Sequence, residues 1–262
     1  FLGMLGIPLV PVHKFPADAP VIFLPAQAAA DPDLLEHINK ARSRGADIIF
    51  TTNLLIASPA GDELAGMVGV GPDIQSKPTR AGLMQEPGKA NVTIDLESPI
   101  EGKAVPGNIV CTSGDKQIAL LTVSETPLGL IALLNTHTYS QADFDAVGEV
   151  LLCPRPLGLL EINGPALSAL REAFGGTAFE GPSCVTYHPF SSAGFGSCVI
   201  QNFNNKAVNV NVTFDIEKDK SNEFFDAFSQ KTIPIRTTES KTHTALDLTI
   251  PARSRVWVRR ID

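Results

Sequence analysis

The sequence predicts two modules in series, an α/β domain over residues 1–178 and a small antiparallel β-sandwich over 179–262. The first rests on two continuous apolar runs, Val21-Ile22-Phe23-Leu24-Pro25 and Asp47-Ile48-Ile49-Phe50-Thr51, with an amphipathic helix between them. Such runs mark strands buried on both faces. The second rests on strict alternation from Ala207 to Ile216. Val208, Val210, Val212, Phe214 and Ile216 share one face, and Asn209, Asn211, Thr213 and Asp215 share the other. That is the pattern of a half-buried antiparallel strand.

Taken in order, Ile7 to Val12 reads as a short strand, and Val21 to Pro25 as the next. Asp31-Pro32-Asp33 supplies an N-cap, a proline at the first helical position and an acidic first turn. Leu34, Leu35, Ile38 and Ala41 form the buried stripe of the helix, Lys40, Arg42 and Arg44 sit near its negative end, and Gly45 stops it. With Asp47 to Thr51 this makes one βαβ unit, which implies a right-handed crossover and parallel pairing. A short helix is expected over Gly61 to Gly71, then an irregular excursion over 72–92. Strand candidates follow at Val92 to Leu96, Ile109 to Thr112, Ile118 to Val123 and Leu128 to Leu134. Ser140-x-x-Asp143 opens a helix that Pro154 and Pro156 break, and Gly164-Pro165 opens another, lined by Leu167, Leu170 and Phe174. Beyond Ala178 to Pro182, Cys184 to Phe190, Cys198 to Phe203, Ala245 to Ile250 and Ser254 to Ile261 join the alternating strand as a sandwich.

The bulk numbers bound the function classes. The chain has 262 residues, 44% apolar and 19% charged, with mean hydropathy +0.10, so it can bury real cores. Its apolar runs, such as Ile118 to Leu121, fall far short of the roughly 20 residues of a membrane helix. No signal-peptide pattern opens the chain. Its start at Phe1 without an initiator Met reads as a cut within a longer protein, and the compartment stays undetermined. Net charge is −7, from 21 Lys+Arg against 28 Asp+Glu, which argues against nucleic acid and anionic membranes as partners. The one basic excess, Arg253, Arg255, Arg259 and Arg260, lies on a strand at the C-terminus. The four cysteines form no CxxC pair and have no metal-ligand spacing with the five histidines, so neither metal nor cofactor is expected. Cys184 and Cys198 flank a hairpin loop, and a disulfide across it is one reading.

At this point a resemblance enters. Leu2-Gly3-Met4-Leu5-Gly6-Ile7-Pro8, the Ala19 to Leu24 strand, the Asp33 to Gly45 helix and the Asp47 to Thr52 strand resemble the flavodoxin-like, class I glutamine-amidotransferase-like domain. In particular they resemble its non-catalytic version in family-42-type β-galactosidases, where it serves in trimer formation. Those enzymes also end in a small β-sandwich, which the Ile250-Pro251-Ala252-Arg253-Ser254-Arg255-Val256 stretch resembles. The resemblance implies an accessory, oligomer-forming part of a glycoside-hydrolase-like protein, with a homo-oligomer or an upstream catalytic domain as partner. A working amidotransferase of the class carries a nucleophilic Cys on a Gly-x-Cys-x-Gly elbow after the strand matching Asp47 to Thr51. Thr52-Asn53-Leu54 stands there instead, and the family's His-x-Glu falls on His137-Thr138-Tyr139, which lacks the Glu.

No catalytic set can therefore be assembled. The pocket candidates are His137, Asn53 and Glu125. His137 ends a buried strand at the edge where open α/β sheets bind ligands, although a hydrogen-bonded histidine at a strand end, or a cap on the Ser140 helix, is the simpler reading. Ser58 and Ser113 lack a Gly-x-Ser-x-Gly context and read as turn formers. Asp215 and Glu217 point outward on a strand as a solvated face, not as a glycosidase pair flanking one bond. Trp257 reads as core packing, whereas a sugar platform needs an exposed aromatic. Asn91-Val92-Thr93 and Asn211-Val212-Thr213 match the glycosylation pattern, which is short enough to arise by chance. Two alternatives stay open: a stand-alone hydrolase using His137 and Asn53, and a carbohydrate-binding module on the sandwich.

Overall fold

The computed structural model describes residues 2–84, 92–136, 158–176, 178–192, 195–215, 223–233 and 243–260. His137, the Ser140 helix, the Pro154 and Pro156 break, Asn91 and Glu217 lie outside them. The described chain is mostly β, with few and short helices. None of those helices is long and apolar enough to cross a membrane. The chain divides into two compact units. One comprises Pro11–Asp145 with Glu172–Gly175, the other Phe1–Val10, Ala146–Arg171 and Gly176–Asp262. That division puts the described residues 2–10 and 158–171 in the same unit as the sandwich.

The first unit holds β1 (Val21–Leu24), α1 (Leu34–Arg42), β2 (Asp47–Thr51), α2 (Thr52–Ala57), α3 (Gly61–Met67), β3 (Thr79–Leu83), β4 (Val92–Leu96), β5 (Ile109–Ser113), β6 (Lys116–Thr126) and β7 (Gly129–Leu134). These seven strands form one sheet in the order β1-β2-β7-β6-β5-β3-β4. Only β1–β2 and β2–β7 are parallel, and the other pairs are antiparallel. The α/β expectation thus holds for three strands, while the hairpin-connected remainder makes the sheet mixed. Hairpins need only short turns, whereas a parallel neighbour demands a crossover. Ile22, Leu24, Ile48, Phe50, Ile131 and Leu133 meet Leu34, Ile38, Leu54 and Leu64 in one core.

Helix α1 opens later than its sequence suggests. Asp31 Oδ1 accepts the Asp33 N–H at 3.0 Å and Asp31 Oδ2 lies 2.8 Å from His37 Nδ1, so Asp31 braces the first turn from outside. The His37 hydrogen bond is the main reason that the Asp31 carboxyl sits below its ordinary value. Gly45 ends the helix at φ +85°, the left-handed conformation glycine adopts without strain. Two expectations fail. Ile7 to Val12 forms no strand: Pro8 and Pro11 remove ladder donors, and Val10 is 83% exposed. The excursion over 72–92 contains β3, because pairing with β4 overrides a composition poor in strand formers.

The second unit holds the helix α4 (Gly164–Ala173) through Arg171, then β8 (Phe179–Glu180), β9 (Val185–Ser192), β10 (Phe195–Asn202), β11 (Val208–Asp215), β12 (Phe224–Asp226), β13 (Lys231–Ile233), β14 (His243–Ile250) and β15 (Arg255–Arg260). Two antiparallel sheets result, β13-β12-β15-β10-β9 and β14-β11-β8. Val208, Val210, Val212 and Phe214 are buried as their alternation requires, packed with Tyr187, Ile200, Phe224, Leu246 and Val258. Arg171, 4% exposed, ties this unit together. Its Nε donates to Leu5 O at 2.7 Å, Nη1 to Gly181 O at 2.7 Å and Nη2 to Pro182 O at 3.4 Å. Its guanidinium also lies 4.8 Å over the Phe179 ring. The disulfide reading falls on register. Cys198 faces Pro189, while Cys184 precedes Val185, whose partner is Asn202, and both thiols are free.

Candidate functional site

In open α/β sheets the carboxyl edge of parallel strands is the ligand edge, so the ends of β2 and β7 come first. Strand β2 runs directly into α2. Thr51 caps that helix, its Oγ1 accepting the Leu54 N–H at 3.3 Å with extended φ −97° and ψ 152°. A nucleophile elbow instead strains its central residue. Here Thr52 and Asn53 are ordinary first-turn helical residues. Thr52 is 0% exposed and its hydroxyl donates to Asn135 Oδ1 at 3.1 Å. Asn53 Nδ2 donates to Thr136 O at 3.2 Å.

Asn135 is the hub of this edge. Its Oδ1 also accepts the Ser98 N–H at 3.2 Å, and its Nδ2 donates to Ser98 O and Ala119 O, each at 2.8 Å. Beside it Glu97, 3% exposed, accepts the Ser76 hydroxyl. Chemically this is a clasp: one amide joins α2, the segment after β4, and β6. Thr52 spends its proton within it. Sequence reasoning missed Asn135, yet a signal was there, an amide ending the wholly apolar run Ile131 to Leu134. Glu125, named with Asn53 as a pocket candidate beside His137, lies at the opposite end of the sheet from Asn53. It pairs with Leu130, whereas Thr51 pairs with Leu134. Four rungs separate the two, about 13 Å, because β6 runs antiparallel to β7. Burial pushes the Cys111 and Cys198 thiols up to about 12, which keeps them protonated and poor nucleophiles at neutral pH.

The sandwich offers two outer faces. On the three-stranded sheet an open trough of about 440 Å³ is lined by Glu180, Asn209, Asn211, Asp247 and Thr249 among others. Asn211 Nδ2 donates to Asp247 Oδ1 at 2.7 Å and Thr249 Oγ1 to Asn209 Oδ1 at 2.8 Å. On the five-stranded sheet Trp257 departs from its expected place. Val258 is in the core and Val256 packs against it, so Trp257, between them, projects outward and is only half-buried. Asp226 anchors the turn beneath it. Its Oδ1 accepts the N–H groups of Trp257 at 3.0 Å and Phe228 at 3.1 Å, and its Oδ2 accepts the Ser229 N–H at 3.2 Å and hydroxyl at 2.6 Å. Burial alone would raise this carboxyl, but these hydrogen bonds outweigh it and hold the group below its ordinary value. A depressed folded value stabilises above the unfolded carboxyl range and is lost as pH falls through the folded value. Asp226→Ala is expected to lower stability by about 1–2 kcal/mol at neutral pH, a gap that closes in acid; urea titrations at neutral and acid pH measure it, and an equal gap at both refutes the anchor.

No family model matches the chain, and no curated protein matches it. Among solved structures, it is similar to α-L-fucosidase isoenzyme 2 from Paenibacillus thiaminolyticus, with TM-score 0.56 and 12% identity over 100% of this chain and 44% of that one. The fold is one found within a glycoside hydrolase. Weaker likenesses reach a β-galactosidase from Bacillus circulans sp. alkalophilus, with TM-score 0.49 and 17% identity over 95% of this chain and 34% of that one. Another reaches a β-galactosidase from the Antarctic haloarchaeon Halorubrum lacusprofundi, with TM-score 0.48 and 10% identity over 99% and 34%. The chain thus spans well under half the length of these proteins.

Proposed function

We propose that the chain is a non-catalytic accessory part of a larger glycoside-hydrolase-like protein, its sheet unit a degenerate amidotransferase-like domain that mediates contacts between copies. One observation carries this reading. Where a working relative would hold its nucleophile, a buried Thr52 hydroxyl is spent on Asn135, inside a fold that covers 44% of an α-L-fucosidase chain. The β1-α1-β2 crossover and the strand Asp47–Thr51 support the amidotransferase-like ancestry. The sandwich supports the domain order.

The test is a pair of measurements on the 262-residue chain. A panel of aryl glycosides, esters and amides is expected to show no turnover, and native mass spectrometry is expected to show an oligomer. Turnover that Asn53→Ala or His137→Ala abolishes would overturn the accessory reading. A strict monomer at high concentration removes the oligomer part.

A further inference from the structure

The basic excess at the C-terminus and Trp257 converge on the outer face of the five-stranded sheet. Arg255, Trp257 and Arg259 project from β15 on the side away from Val258. Arg255 lies 4.8 Å over the Phe228 ring, and Phe228 lies 5.8 Å from Trp257, centroid to centroid. Arg259 lies 5.6 Å over Trp257 and 5.9 Å over Phe225. Two cations and three rings therefore stack in one ladder. It stands at the surface, with Arg255 and Arg259 exposed and Phe228 48% exposed.

A guanidinium stacked on a ring is held in place while its N–H fork stays open to a planar anion. Neither Arg255 nor Arg259 forms an ion pair among the described residues. The carboxylate at the foot of the ladder, Asp226, is turned toward the Trp257, Phe228 and Ser229 donors. On a chain of net charge −7, this is a cationic and aromatic face whose arginines have no ion-pair partner among the described residues.

We propose that this face binds an acidic glycan, a short chain of uronic or sulfated sugars. The proposal rests on the accessory reading, which sets the sandwich within a carbohydrate-acting protein. Two features select that occupant. Arg255 and Arg259 share a face four residues apart, about 13 Å along a rigid strand, with rings between them. An acidic sugar chain presents the complement, anionic groups at regular intervals separated by the C–H faces of its rings. A second copy offering the same face would set arginine against arginine, which works against a two-fold contact here.

The full chain is titrated calorimetrically with an oligogalacturonide, with a neutral galacto-oligosaccharide of equal length and with a poly-glutamate peptide. Binding of the oligogalacturonide is expected, at least about tenfold tighter than either comparator, and falling steeply as salt rises from about 0.05 to about 0.5 M. Arg255→Gln with Arg259→Gln, both at exposed positions, is expected to weaken binding by at least about tenfold. Arg80→Gln, in the other unit, is expected to leave it unchanged. Four outcomes overturn the proposal: no binding, equal binding of the neutral sugar, equal binding of poly-glutamate, or self-association that the double variant abolishes. Each leaves the accessory reading to be decided by turnover and native mass.

Discussion

Replacing Asn135 by Ala is expected to unfold the seven-stranded sheet unit under conditions where the parent chain is folded, a loss of about 3–5 kcal/mol. The side chain is 1% exposed and makes four hydrogen bonds. Truncation leaves the Thr52 hydroxyl, the Ser98 N–H and the carbonyls of Ser98 and Ala119 without this partner in a place water does not reach. Each such orphan costs about 1–3 kcal/mol before relaxation. Thr52→Val removes one of the four and should cost only about 1 kcal/mol, while the double variant should cost less than the sum, because the two changes share a bond. Urea unfolding followed by far-UV circular dichroism measures all three. An Asn135→Ala loss below about 1 kcal/mol, or strict additivity, refutes the clasp.

Arg171→Ala is the matching change in the sandwich unit, with an expected loss of about 3–4 kcal/mol. Its fork holds the carbonyls of Leu5, Gly181 and Pro182, and its guanidinium lies over Phe179. Arg171→Lys retains the charge but not the fork, so about 2 kcal/mol should still be lost. Burial depresses the guanidinium to about 10, with Glu180 acting in the opposite sense. The unfolded chain then binds the extra proton only above that value, so Arg171 adds no slope to stability over roughly pH 5 to 9. Thermal unfolding across that range should show parallel curves for parent and variant. Curves that converge within it would mean that the side chain titrates there and that the reading of a permanently charged staple is wrong.

These two residues also mark where sequence reasoning ran out. Asn135 sits at the end of an apolar strand, and Arg171 on a helix whose periodicity gives the inner face to Leu167, Leu170 and Phe174. Both side chains are polar, and apart from the Thr52 hydroxyl their partners are backbone groups, up to 166 positions away. Neither partner leaves a trace in local periodicity, since any residue supplies a carbonyl. Trp257 was misplaced for a related reason. In an alternation of Val, Trp and Val, hydropathy cannot say which face is inward, and the Phe228 ring that meets Trp257 comes from the turn after another strand.

What the chain declares on its own is local and periodic. The buried runs at Val21–Leu24 and Asp47–Thr51, the helix between them closed by Gly45, and the alternating strand Val208–Asp215 all follow from steric and burial rules acting over a few residues. That Thr52-Asn53-Leu54 carries no Cys and no flanking Gly is equally legible, because it needs only the identity of neighbours. Tertiary structure alone decided that four of the six strand pairings are antiparallel, that Glu125 and Asn53 stand at opposite ends of one sheet, and that two arginines and three rings share a face. Register and pairing partner are set by long-range packing and loop closure, and a chain read one window at a time carries neither.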